Sequence, residues 1–239
     1  MKTTQQPDLD AMNETLALKT PQETIAWGLK EFHPRIALAW SGAEDVALVD
    51  MALKINPQAR IFILDTGRLN PETYEVVDKV REKYGVKLEI LFPDATLVEE
   101  MTKTHGMNLF YHNVENRKRC CNIRKVLPLK RMLAGVDAWI TGLRRDQAAS
   151  RAVVKKIERD AAFGGIVKLN PLADWSHADV WDYIRKNEVP YNALHDKGYP
   201  SIGCAPCTRA IQAGEDIRAG RWWWEEASGK ECGLHVKPK

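Results

Sequence analysis

RIALAWSGAEDVALVDMALKI (residues 35–55) begins with an apolar run, breaks at Ser41-Gly42, and resumes with apolar residues at helical spacing. The first part reads as a buried strand and the last as a helix, because the period of the apolar residues changes across the break. Strand, small-residue loop and helix together form the repeating unit of a wound α/β sheet. The alternation continues outward from this stretch. ARIFILD (59–65) is a second strand, followed by TGRLNPET and a helix PETYEVVDKVREKYG with Pro71 near its start and Gly85 near its end. VKLEILFP supplies a third strand, and DAWITG (137–142) a fourth, after a helix built around VLPLKRMLAG. PLADWSHADVWDYIRKNEVPYN reads as a loop, with Asp174 or Ser176 near the cap of a helix that puts Val180, Trp181 and Ile184 on one face. The expected fold is α/β, doubly wound around a mainly parallel sheet, with its ligand beyond the C-terminal ends of the strands.

The bulk numbers agree with that class and narrow the partners. The chain has 239 residues, 44% hydrophobic and 28% charged, enough for a substantial core. Lys+Arg 35 against Asp+Glu 32 gives +3, which excludes a global basic field but leaves local clusters for a small anion. No run of about eighteen apolar residues occurs, and MKTTQQPDLDAMNETLALKT at the start has no apolar signal core, so a cytoplasmic chain is expected. With no repeat and no low-complexity linker, the chain divides into a leader (1–24), an α/β domain (25–207) and an Arg- and Trp-rich tail (208–239).

The loops after the strands, SGAED, DTGRL and TGLRRDQ, carry small residues and arginines, which fits anion capture. In SGAED, the turn at Ser41 and Gly42 would aim backbone N–H groups at a phosphate or ribose from a helix N-terminus. Glu44 and Asp45 would repel phosphate there, so an ordinary N-cap with acidic first-turn residues is the competing reading. Cations that could meet an anion are Arg124 and Lys125, then Arg144, Arg145 and Arg151, then Arg218 and Arg221. Lys118, Arg119, Lys155 and Lys156 read as solvated surface charges, and Trp222–Trp224 as packing.

Five cysteines remain. RCCNIRK (119–125) and GCAPCTR (203–209) each pair two of them, and KECGLHVKPK leaves Cys232 alone near the end. Four thiolates suit an iron–sulfur cluster or a structural zinc. Adjacent Cys120 and Cys121 give one tetrahedral ion an awkward bite, which a cubane eases by offering a separate iron to each sulfur. A strained vicinal disulfide and four unconnected thiols are the other readings.

CC followed by NIRK, CxxC far downstream, SGAEDV, LDTGR and ECGLH in combination resemble the assimilatory adenylyl-sulfate (adenosine 5′-phosphosulfate, APS) reductases, from about residue 25 to the end. The resemblance implies the fold of adenine-nucleotide α-hydrolase-like proteins and a [4Fe-4S] cluster on Cys120, Cys121, Cys204 and Cys207, zinc being the alternative. It implies adenosine recognition by Ser41, Leu64 and Gly142, and phosphosulfate contacts from Lys125, Arg151, Arg218 and Arg221; Arg145 is added by loop position. The α/β domain thus becomes nucleotide- and cluster-binding and the tail catalytic. Cys232 is the expected nucleophile, forming S-sulfocysteine and expelling AMP, with Glu225, Glu226 and Glu231 tending to raise its pKa. Seven residues follow Cys232, so the expected reductant is a separate protein, thioredoxin. No nucleic acid or membrane is expected, and a homo-oligomer is compatible with the reading. A 3′-phosphorylated (PAPS) substrate, an ATP pyrophosphatase-type ligase and a non-enzymatic Fe–S or zinc redox sensor are the alternatives.

Overall fold

The computed structural model describes residues 8–148 and 151–225. Two helices come first, α1 (Leu9–Ala17) and α2 (Pro21–Phe32), followed by β1 (Ile36–Trp40), α3 (Ala43–Ile55), β2 (Arg60–Leu64), α4 (Pro71–Tyr84), β3 (Glu89–Leu91) and α5 (Ala95–His105). Then come α6 (Val114–Cys121), α7 (Leu127–Leu133), β4 (Ala138–Ile140), β5 (Ile157–Asp160), β6 (Ile166–Leu169) and α8 (His177–Lys186). The six strands form one sheet in the order β3-β2-β1-β4-β6-β5, parallel except for β5, which runs antiparallel to β6. This is the doubly wound, mainly parallel α/β sheet expected from the alternation of strands and helices.

Period-two alternation sends each strand's side chains to two separate cores. Ile36, Leu38, Ile61, Ile63 and Ile140 join α2, α3, α4 and α8 in the larger core. Ala37, Phe62 and Trp139 face the other way, onto Leu129, Met132 and Leu133 of α7 and onto Phe163. Helices therefore cover both faces, as a parallel sheet requires. The approach is close: a Cβ on Gly28 of α2 would lie 2.4 Å from Leu169 Cδ1.

The chain leaves β1 toward β2 on one side and reaches β4 on the other, so a crevice opens between the loops that follow β1 and β4. Those two loops carry SGAED and TGLRR.

Sequence reasoning missed the hairpin of β5 and β6, whose signal was Gly164-Gly165 between two short runs, with both glycines at positive φ. Its outer edge is closed by α1, where Asn13 takes the Ile157 N–H at 3.1 Å and donates to the Ile157 carbonyl at 2.7 Å. Lys156 is buried rather than solvated, donating to the Ala17 and Lys19 carbonyls at 3.2 and 2.7 Å and pairing with Asp174 at 3.1 Å. Residue 24 lies within α2, whose Ile25 and Leu29 belong to the larger core.

Between α6 and α7 the helix widens to a π turn over 122–126, where the Leu127 N–H reaches back five residues to the Asn122 carbonyl. Pro128 supplies a cause, since it has no N–H to give an ordinary α-helical bond to residue 124. The widened turn sets Arg124 and Lys125 directly behind the first cysteine pair.

Candidate functional site

A cavity of about 230 Å³ opens at the crevice and is lined by residues of all the suspected loops. Ser41, Leu64, Lys125, Gly142, Arg151, Arg218 and Arg221 all line it. Arg145 does not: it donates to the Val154 carbonyl at 2.8 Å and pairs with Asp174. The neighbouring Arg144 takes the place expected for it, fully buried, pairing with Glu44 at 3.0 Å and with Asp146.

The β1–α3 turn differs from the anion trap drawn from sequence. Asp45 Oδ2 accepts the Ser41 N–H at 2.7 Å, the Ser41 hydroxyl at 2.8 Å and the Gly42 N–H at 3.0 Å. The backbone donors meant for a phosphate are thus taken by the protein's own carboxylate, the ordinary acidic N-cap. Burial, followed by the charge of Glu44, pushes the Asp45 carboxyl up to about 6, although the bonds from Ser41 and Gly42 pull it down. For Glu44 burial works upward but Arg144 and Gln147 outweigh it, and its carboxyl is lowered. Gly142 sits against this pair: a Cβ there would lie 2.2 Å from Asp45 Oδ1 and 2.9 Å from Glu44 Cβ. One end of the cavity therefore has two carboxylates in its wall and no backbone phosphate cradle.

The other end is cationic and touches the cysteines. Cys120, Cys121, Cys204 and Cys207, far apart in sequence, line one small cavity with Arg68, Phe110, Arg117, Arg124, Lys125 and Pro206. Lys125 lines both cavities. Thr66, from the loop after β2, joins them further: its carbonyl accepts Arg124 Nη1 at 2.7 Å and its hydroxyl lies 3.2 Å from Cys204 Sγ. Burial alone would raise the Cys204 thiol, but Lys125, the Thr66 hydroxyl, Arg221 and Arg124 overcome it and the thiol is lowered. Cys207 is pushed up to about 12 by burial and then by Cys204, and Cys120 is raised mainly by burial. Four such thiols close together are poor company unless a cation holds them as thiolates.

Among the described residues, no group of three or more His, Cys, Asp or Glu side chains converges to hold a single metal ion. Four cysteine sulfurs are donors that either a structural zinc or an iron–sulfur cluster accepts.

The start of the tail is anchored on this site. Trp222 is fully buried, with the Arg117 and Arg221 guanidinium carbons 4.6 and 4.8 Å from its ring centroid. The Trp222 backbone N–H donates to the Cys207 carbonyl at 3.1 Å. Trp224 packs on Tyr111 at 4.4 Å, so these tryptophans serve packing, as expected. Arg117 and Glu225 form a buried ion pair at 2.9 Å, which compensates the Glu225 charge that was expected to act on the nucleophile. Arg221 passes over Gly203, where a Cβ would lie 2.3 Å from Nη2. Cys232, with Glu226 and Glu231, lies outside the described residues.

Thr66 and Gln147 escaped the sequence reading. Thr66 was available in LDTGR as the first residue beyond the β2 carboxyl end, whereas Gln147, which donates to Glu44 at 3.2 Å, had no signal of its own.

Fold and cavity define the class: a doubly wound α/β protein whose switch-point cavity runs from an acid-walled end to a cationic end beside four thiols. The phosphoadenosine phosphosulfate reductase domain family matches residues 35–210. The chain is 49% identical over 234 residues to an adenosine 5′-phosphosulfate reductase of Pseudomonas aeruginosa, covering 96% of this chain and 87% of the relative. It is 50% identical over 228 residues to the enzyme so named in Burkholderia cepacia, covering 95% and 91%. The solved phosphoadenylyl-sulfate reductase of Candida auris, in a phosphate complex, superposes with a TM-score of 0.74 at 34% identity over 87% of this chain and 98% of that one. An FMN adenylyltransferase of Candida glabrata, 14% identical with a TM-score of 0.55 over 93% of this chain and 74% of that one, shares the fold alone. The chain belongs to the phosphoadenosine phosphosulfate reductase family.

Proposed function

We propose that the protein reduces adenosine 5′-phosphosulfate to sulfite and AMP in assimilatory sulfate reduction. The observation that carries the reading is the cavity itself. It joins the two switch-point loops of a nucleotide-binding fold to Lys125, Arg151, Arg218 and Arg221, the set expected for a phosphosulfate. The names of the relatives at about half identity support APS as the substrate.

The reaction needs a soft nucleophile at sulfur, which a thiolate provides. Cys232 is the cysteine left over once the two pairs are assigned to the cluster. Its thiolate attacks the sulfonyl sulfur, the S–O bond to the phosphate breaks, and AMP leaves with the electron pair. The product on the protein is Cys232–S–SO3⁻. Lys125 and the arginines stabilise the charge that develops on the departing phosphate. A thiolate of thioredoxin then attacks the Cys232 sulfur and expels sulfite. The second thioredoxin thiol resolves the mixed disulfide, so two thiols are oxidised for each sulfite released. The described part of the tail is anchored at Trp222, which lines the cavity; in this reading Cys232 visits the substrate and is then presented to a partner.

Cys120, Cys121, Cys204 and Cys207 would hold a [4Fe-4S] cluster. When bound, it supplies a charged group beside Lys125 that orders the cation facing the substrate. The chemistry above balances with thiols alone.

A sulfite-release assay with APS, its 3′-phosphorylated analogue and thioredoxin tests the reading. Release from APS in preference to the analogue is expected. Equal release from both would remove the specificity, and none from either would remove the function.

A further inference from the structure

The main cavity contains a histidine with hydrogen-bonding capacity that the protein does not fully use. His195 lies in the short 3-10 turn Ala193–Lys197, between α8 and the second cysteine pair, and lines the cavity. Its ring packs edge-on against Trp181, 5.0 Å between centroids. Both ring nitrogens are shielded from solvent, and neither makes a hydrogen bond of full geometry among the described residues, the Tyr199 backbone being the polar group that acts on the ring. A neutral imidazole carries one donor and one acceptor, and buried polar atoms left without partners are uncommon enough to point to a missing ligand.

The surroundings say which part of a ligand suits it. Burial lowers the imidazole pKa; Glu44, the Tyr199 backbone and Asp196 pull the other way and His177 adds to the lowering. The ring is therefore neutral at neutral pH. At this end Arg144 is taken up by Glu44 and Arg151 donates to Gln147, whereas Lys125 and Arg221 lie at the other end, where they act on Cys204. A neutral ring that shares its end with Glu44 is no anion receptor, yet it suits a hydroxyl or a heterocycle nitrogen.

We propose that His195 hydrogen-bonds the uncharged nucleoside part of the nucleotide while Lys125 and the arginines take its anionic part. This rests on the nucleotide reading above and adds the residue that positions the nucleoside.

AMP is the probe, because it carries the nucleoside without the sulfonate. His195→Phe keeps a ring against Trp181 and removes both nitrogens; His195→Gln returns a donor and an acceptor. The Phe variant of the full-length protein should bind AMP about tenfold more weakly, the size of one hydrogen bond, and the Gln variant should recover part of that. For APS the loss should fall on KM, with kcat within about twofold of the parent. In the unaltered protein, the ¹⁵N signals of the His195 ring should move when AMP saturates the site and stay in place with inorganic sulfate. Unchanged AMP affinity in His195→Phe overturns the proposal. So do His195 ring signals that ignore AMP, a result that needs no variant to fold. Absence of sulfite release alongside a normal His195 response would count against the reductase reading and leave the nucleoside contact in place.

Discussion

Asp45 shows how one side chain can reverse the meaning of a loop. SGAED carries the small residues of a phosphate-binding turn, yet its third helical residue folds back and takes both backbone donors. Sequence showed that a choice existed, because an acid stood there; deciding it required knowing that the carboxylate is buried. Asp45 should tie stability to pH. Its folded-state pKa, about 6 against an ordinary 3.8, is raised, so its stabilising contribution is full below about 4 and is lost as pH rises through about 6. Denaturant titrations should show that slope in the parent and a smaller one in Asp45→Asn; equal slopes would refute it. Gly142→Ala should destabilise the fold by about 1–3 kcal/mol, because a Cβ 2.2 Å from Asp45 Oδ1 forces the N-cap to move. Thermal unfolding checks this. At the cationic end, Lys125→Ala should lower kcat/KM for APS by about a hundredfold, as removal of a group that meets developing charge does. A drop of less than threefold would place Lys125 outside the charge-stabilising set.

At the scale of elements, the strands and helices that carry the site were legible because each has its own period and punctuation. Pro71 and Gly85 bracket α4, and Ser176 caps α8 with its hydroxyl accepting the Asp179 N–H at 3.2 Å. The β5–β6 hairpin was not legible, since four-residue strands carrying Glu158, Asp160 and Lys168 do not alternate clearly; ion pairs of Lys168 with the two acids offset their burial. The π turn was half legible, as Pro128 was visible while its effect on Arg124 and Lys125 depends on the helix continuing through it. Pro128→Ala restores the missing N–H and lets the turn tighten, which would rotate Arg124 and Lys125 relative to Cys120 and Cys121. Iron bound per chain should fall while far-ultraviolet circular dichroism stays the same; unchanged iron would show that Pro128 does not set the turn. The anchor of the tail has a clearer magnitude. Arg117→Met leaves Glu225 buried without its partner, which should cost about 3–5 kcal/mol. Limited proteolysis should then cut near residues 221–225 in the variant and spare the parent.

Over the whole molecule, the cavity brings together residues from β1, β2, β4, the π turn and the tail, and their grouping follows from the strand order rather than from any local motif. Sequence named several of the polar lining residues because strand ends are marked by their own composition. It misassigned Arg145 because, of two adjacent arginines in an extended loop, only the fold decides which one turns inward. His195 was missed for a similar reason: nothing within YNALHDKGY says that the turn lines the same cavity as SGAED. Cys232 lies outside the described residues, and its role can be tested directly. The parent protein is mixed with APS in the absence of any thiol reductant, digested, and its peptides are weighed by mass spectrometry, with Cys232→Ser as the control. The account predicts the mass of one SO3 group on the peptide that holds Cys232, lost when thioredoxin is added and absent from the Ser variant. An unmodified Cys232 peptide, or the same group on a different cysteine, would contradict it.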